Sequence, residues 1–213
     1  MRKLFTFSEP KSGGKNEDAF QTGFYPNQSD AILISLADGQ GGQSGGREAA
    51  QLAVERAFSV GLKYSPVELL EEKAWKNIFG QTDESVYQDK QAGFTTFISL
   101  YAGAEKIIGV SVGDSAALIV NSQGTFKVLT ERQCKNPPMG SGNAQPTIFS
   151  LEPEGSWKLL AISDGVWKFV GWQKIVDEAL KFSGDALIEN LKALAAGPSG
   201  LLPDDFTIVL IEN

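Results

Sequence analysis

Three acidic turns hold the residues best suited to chemistry. Asp38 lies in Ala37-Asp38-Gly39-Gln40-Gly41-Gly42, after the apolar run 31–37. Asp164 lies in Ser163-Asp164-Gly165, after the apolar run 159–162. Asp204-Asp205 leads into the apolar run 206–209. A carboxylate at the end of a buried strand is aimed by the sheet and still free to face a cleft. The glycine that follows lets the backbone turn sharply and lets its own carbonyl approach an ion. Carboxylate and carbonyl oxygens are the donors that hard divalent cations select. Asp-Gly is also a common turn dipeptide, and any one of these could be only a turn. Their recurrence at strand ends favours a metal centre, with the plain turn as the alternative.

The rest of the composition narrows the chemistry. The chain has no histidine and one cysteine, Cys134. That excludes a Ser-His-Asp triad, a Cys-His pair, a His-ligated zinc site and an internal disulfide. Cys134 as a lone nucleophile would need a phosphate-cradling loop closing on an arginine, and Cys134-Lys135-Asn136-Pro137-Pro138-Met139-Gly140 contains none. A nucleotide-binding turn is a further competitor. Gly39-Gln40-Gly41-Gly42-Gln43-Ser44 lacks the last glycine of G-x-G-x-x-G, and Asp38 would repel a pyrophosphate. Gly14-Lys15 is followed by Asn16, so there is no P-loop. Carboxylate plus metal remains.

The elements that must position these turns can be read from periodicity. Strands are expected at residues 4–7, 18–24, 31–37, 95–102, 106–112, 116–121, 125–129, 147–151, 157–162 and 206–211. Ala49, Ala50, Ala53, Val54, Ala57 and Phe58 fall on one helical face, with Gly61 as a stop. A second helix is expected from Ser65-Pro66 through Leu69, Leu70, Trp75 and Ile78, with a further piece around Val86. Two amphipathic helices follow at 172–182 and 186–196. Strands, helices, strands, helices and a last strand make an α+β layered architecture, not a βαβ alternation. The 213 residues fit one domain, 1–213, with a short flap around 133–146. The 42% hydrophobic and 21% charged content is that of an ordinary globular chain, and no apolar run reaches membrane-spanning length. The N-terminus does not read as a signal peptide, so a cytoplasmic location is expected. A net charge of −7 argues against a nucleic-acid partner.

The order of motifs resembles the metal-dependent protein phosphatases of the 2C type. The matching pieces are Asn16-Glu17-Asp18, Asp38-Gly39-Gln40-Gly41-Gly42, Gly93-Phe94-Thr95-Thr96, Gly113-Asp114-Ser115, Ser163-Asp164-Gly165-Val166-Trp167 and Asp204-Asp205-Phe206-Thr207. The resemblance implies a four-layer α-β-β-α sandwich, two antiparallel sheets flanked by helix pairs. It implies two Mg²⁺ or Mn²⁺ ions, with Asp38 bridging them, Asp164 and Asp204 on one, and the Gly39 carbonyl on the other. Glu17, and in some measure Asp18, would act through water. A water activated between the ions would attack phosphoserine or phosphothreonine in line. The implied partner is a phosphorylated protein, the target of a cognate Ser/Thr kinase. The chain is expected to act as a monomer.

The sequence also departs from that pattern. Asp114 would help to hold a weak third metal or simply cap a turn, and Lys168 stands where many relatives have another acid. Gln40 replaces a histidine and cannot act as a general acid. Gly13 occupies the place of a phosphate-gripping arginine. Lys11 or Lys15 would substitute, as point charges. Arg47 reads as a surface helix charge, and Trp75, Trp157, Trp167 and Trp172 as core. A pseudophosphatase or regulatory module on the same fold is the alternative, and a small-molecule phosphate-ester hydrolase is a third reading.

Overall fold

In the computed structural model, every residue is described except Met1, Asn27, Ser29, Gly42 and Gln43. Gly42, part of the first acidic turn, therefore lies outside the described residues. The strands are β1 (Lys3–Glu9), β2 (Asp18–Phe24), β3 (Ile32–Asp38), β4 (Phe97–Ala102), β5 (Ile107–Val112), β6 (Ala116–Asn121), β7 (Phe126–Val128), β8 (Thr147–Leu151), β9 (Trp157–Ile162) and β10 (Phe206–Glu212). The helices are α1 (Gly46–Gly61), α2 (Glu72–Gln88), α3 (Asp164–Val170), α4 (Trp172–Lys181) and α5 (Gly184–Ala196).

The strands form two antiparallel sheets, ordered β1-β10-β9-β6-β7 and β2-β3-β4-β5-β8. Side chains alternate across a strand, so a strand covered on both faces is apolar throughout. Along β3, Ile32, Ile34 and Leu36 enter the layer between the sheets, where they meet Ile98, Leu100, Leu159, Ala161, Val209 and Ile211. Leu33 and Ala37 face the other way, against Ala50, Val54 and Ala57 of α1 and Trp75, Ile78 and Phe79 of α2. The sheet containing β9 and β10 packs in the same manner under α3, α4 and α5, through Leu160, Ile162 and Leu210 against Val166, Ile175 and Leu191. Helices, sheet, sheet and helices make four layers. Among the described residues no helix is long and apolar enough to cross a membrane.

Two element expectations need correction. Ser65-Pro66 does not open the second helix. A 3-10 turn at Glu68–Leu70 comes first, and α2 then runs unbroken through Val86. The turn at Asp164 is the first residue of α3, a short helix that gives this side three helices rather than a pair. Asp164 there favours the helix dipole as well as facing the cleft.

Candidate active site

The topology gathers the acidic residues at one end of the sandwich. β2 and β3 pair so that Asp18 and Asp38 are direct cross-strand partners. From the other sheet, β9 leads directly into Ser163-Asp164, and Asp204 and Asp205 stand just before β10, its antiparallel neighbour. β5 leads directly into Gly113-Asp114. A cleft of about 390 Å³ lies between these ends, lined by Glu17, Asp38, Asp114, Asp164, Asp204 and Asp205, with Lys11, Gln40, Thr96 and Lys135.

The main chain at Asp38 is pinned. Its N–H donates to Thr96 Oγ1 (2.9 Å), and its carbonyl accepts from the Thr96 N–H (2.9 Å) and from Thr95 Oγ1 (2.8 Å). Gly39 then passes so close to the next helix that a Cβ there would overlap the Gly46 backbone. At Gly165 a Cβ would overlap the Asp205 carbonyl oxygen. Only glycine admits these approaches, which bring the β3 turn to α1 and the α3 start to the β10 entry.

Asp205 does structural work that its sequence position does not reveal. Its carboxylate accepts the backbone N–H groups of Lys11 and Glu17, each at 2.7 Å. It thereby closes the loop before β2 and sets Glu17 at the cleft. Asp204 Oδ1 accepts the Asp205 N–H at 3.0 Å. A chain of hydroxyls continues the tie, with Asn16 Nδ2 donating to Ser8 Oγ and Ser8 Oγ paired with Thr207 Oγ1, both at 2.7 Å.

The electrostatics are those of carboxylates crowded together. Burial, then the charges of Asp18 and Asp164, a hydrogen bond with Asp164 and the charge of Asp114, push the Asp38 carboxyl up to about 10. Asp18 is 8% exposed, and neither of its oxygens has a hydrogen-bond partner among the described residues. Burial pushes it up to about 7; nearby Thr207 and Ser163 oppose this, and Asp205 and Asp164 add repulsion. Both hydroxyls are engaged elsewhere, Thr207 with Ser8 and Ser163 with the Asp205 carbonyl (3.3 Å).

Lysines partition the rest. Lys168, one turn along α3, pairs with Asp164 and reaches Asp114 Oδ2 at 3.2 Å, and Lys135 reaches the same oxygen at 2.6 Å. Burial would raise Asp114, but these ammonium groups hold its carboxyl below its ordinary value. Lys168 is itself held above its ordinary value, burial opposing and Asp164 and Asp114 prevailing. Among the described residues no three acidic side chains already meet as a closed metal-ligand set.

The expected site residues divide accordingly. Asp38, Gly39, Asp164, Asp204, Glu17 and Asp114 share the cleft wall with Lys11, whose Nζ is 3.8 Å from Glu17. Lys15 is exposed and is not among the lining residues. Arg47 is exposed on α1, as expected. Trp75 and Trp157 are core, while Trp167 and Trp172 stack on each other, half-buried, with centroids 5.2 Å apart. Trp167 Nε1 donates to the Asp114 carbonyl at 2.9 Å, tying α3 to the β5 turn. Sequence reasoning missed Lys135 and the anchoring role of Asp205. Lys135 lies in a loop with no periodic signal, and only the fold brings it to Asp114.

Comparison with known proteins agrees with this architecture. Stp1, a serine/threonine phosphatase from Staphylococcus aureus, superimposes with a TM-score of 0.86 at 19% identity, over 100% of this chain and 95% of that one. A variant of a bacterial serine phosphatase gives 0.84 at 23% identity, over 100% and 98%. The catalytic domain of PstP, a serine threonine protein phosphatase solved in complex with two manganese ions, gives 0.80 at 20% identity, over 99% and 97%. Identities this low establish the shared fold. No curated protein matches the sequence. Residues 8–177 match the family model described as Protein phosphatase 2C, most of the chain, and the protein therefore belongs to the protein phosphatase 2C family.

Proposed function

We propose that this chain is a metal-dependent protein phosphatase acting on phosphoserine and phosphothreonine. The observation that carries the reading is the meeting of strand-end carboxylates from both sheets in one cleft, with two buried Asp18 oxygens left without a partner among the described residues. Buried unpaired carboxylates oppose folding unless a cation compensates them. An all-oxygen donor set of this kind suits Mg²⁺ or Mn²⁺. Membership of the protein phosphatase 2C family and the two manganese ions of PstP point the same way.

Asp38, Asp164 and Asp204 with the Gly39 carbonyl would hold two such ions, and Glu17 and Asp18 would act on their water ligands. Bound divalent ions supply Lewis acidity, which makes water nucleophilic near neutral pH and offsets charge on a transferring phosphoryl group. The chain's own residues supply position. Thr95 and Thr96 fix the Asp38 main chain, Asp205 fixes Glu17, and the close approach at Gly165 sets Asp164 beside Asp204. Lys11 and Lys135 line the wall as point charges able to attract a phosphate dianion. Gln40 is exposed at the rim and has no acidic proton to give, so a water would have to protonate the leaving alkoxide.

The decisive experiment is hydrolysis of a phosphothreonine peptide with Mn²⁺, with chelator, and with Asp38→Ala. Turnover that requires both metal and Asp38 supports the proposal, and turnover unchanged in Asp38→Ala sinks it. One observation favours a second reading, a binding module without catalysis. Lys168 engages Asp164 and Asp114 together, competing for carboxylates that metal would need. Calorimetric titration separates the two, since a binding module of this kind takes up no Mn²⁺.

A further inference from the structure

Asp83 is a buried carboxylate on α2, 7% exposed, and does not line the cleft. No lysine or arginine among the described residues pairs with it. A buried charge without a counter-ion needs strong hydrogen bonds to persist. Asp83 takes them from outside its own helix. Its Oδ1 accepts the Gly140 N–H at 2.6 Å and its Oδ2 accepts the Ala144 N–H at 3.3 Å. Bonds of this type to an ionised acceptor are among the stronger ones in proteins.

The loop so held is the one that walls the site. Lys135, Asn136 and Pro138 line the cleft. Next to Pro138, the fully buried Met139 exchanges two backbone bonds with Thr95, at 3.1 and 3.2 Å. Thr95 Oγ1 in turn donates to the Asp38 carbonyl. At the loop's start the Cys134 carbonyl accepts the Gly113 N–H at 2.8 Å, beside Asp114. The loop has no strand or helix of its own, so these few bonds fix its course. Among the described residues, Asp83 supplies the carboxylate anchors of this loop's later half, at Gly140 and Ala144.

We propose that Asp83 is a positioning residue that clamps the 134–144 loop to α2 and so sets how the cleft grips a peptide substrate, leaving its hydrolytic step untouched. This rests on the phosphatase reading above and adds the determinant of its substrate hold. A small aryl phosphate offers the cleft little beyond its phosphate, and Lys135 at the loop's start is tied separately to Asp114. A phosphopeptide must also lie along the wall that carries Asn136 and Pro138.

The test compares Asp83→Ala and Asp83→Asn with wild type in two ways. Hydrogen exchange is read at the Gly140 and Ala144 amides, and steady-state kinetics are measured on p-nitrophenyl phosphate and on a phosphothreonine peptide with Mn²⁺. In Asp83→Ala both amides should exchange at least about tenfold faster, the scale of a lost bond to a charged acceptor. KM for the peptide should rise by a similar factor, while kcat on the aryl phosphate stays within about twofold. Asp83→Asn retains one acceptor oxygen and should restore protection at one of the two amides and part of the KM. If Asp83→Ala does not fold, Asp83→Asn carries the test, and exchange and peptide KM identical to wild type in that variant overturn the inference. So do unchanged amides in folded Asp83→Ala, or equal losses of kcat on both substrates. Wild type inactive on both substrates overturns the phosphatase reading and this inference with it, whereas active wild type with an unmoved peptide KM in the variants overturns this inference alone.

Discussion

Replacing Asp18 by Asn should make the chelator-treated protein more stable, although the residue sits in the candidate active site. Its carboxyl is 8% exposed, unpartnered among the described residues and pushed up to about 7 from an ordinary 3.8. The unfolded chain releases that proton near the ordinary value. Because the folded value is raised, the stabilising contribution is complete below about pH 4. It is lost as pH climbs through about 7. A displacement of about three pH units corresponds to about 4 kcal/mol of instability at pH 8. Asparagine has nearly the same shape and no charge to bury, so Asp18→Asn recovers part of this. A buried amide lacking a partner subtracts about 1–3 kcal/mol. The net gain should be about 1–3 kcal/mol, or several degrees in Tm for a chain of this size. Thermal melts with chelator at pH 4.5 and pH 8, for both proteins, are the assay. The variant should gain on wild type only at the higher pH, and Mn²⁺ should raise its Tm less than that of wild type. A variant less stable than wild type at pH 8, or a difference that does not change with pH, would refute the argument from buried charge.

Two further outcomes follow from neighbouring geometry. Lys168→Gln removes the ammonium that bridges Asp164 and Asp114, so Mn²⁺ should bind roughly twofold to fivefold more tightly by calorimetry, a modest effect because Lys168 is partly exposed to solvent. The same variant should melt lower than wild type in chelator and no lower in saturating Mn²⁺; equal loss in both would mean a purely structural role. Gly165→Ala forces a Cβ onto the Asp205 carbonyl and should destabilise the protein by at least about 2 kcal/mol, read as a drop in denaturation midpoint. A neutral Gly165→Ala would show that α3 and the β10 entry need not approach so closely.

The gathering of acids at the candidate site was legible in the sequence because it depends on residue type at strand ends. Apolar runs stopping at Asp38 and Asp164, and one starting after Asp204-Asp205, already place acids where a sheet can aim them. The lack of histidine removes the competing chemistries on composition alone. Strand and helix order was likewise readable from the period of the apolar residues, apart from the short helix α3 and ends governed by local bonding. Ser65 shows the limit: its N–H and Oγ both donate to Glu68, building a separate turn ahead of α2. At Asp164 the Asp-Gly pair reads locally as a turn, and its packing on β10 makes it a helix start instead.

Tertiary structure alone decided which charges meet. Lys135 and Asp114 are separated by two strands and a loop, and Asp83 and Gly140 by four strands of chain, so no local pattern could link either pair. From the sequence Lys15 is the better candidate and Lys11 the one that reads more as a solvated loop charge, but only Lys11 lines the cleft, because Asp205 holds its backbone there. The sequence determined that this chain would hold carboxylates at strand ends, since periodicity and residue chemistry are local properties. Which of those carboxylates are paired, buried or bare depends on distances between elements far apart in the chain, and those are set by the packing of two sheets against each other.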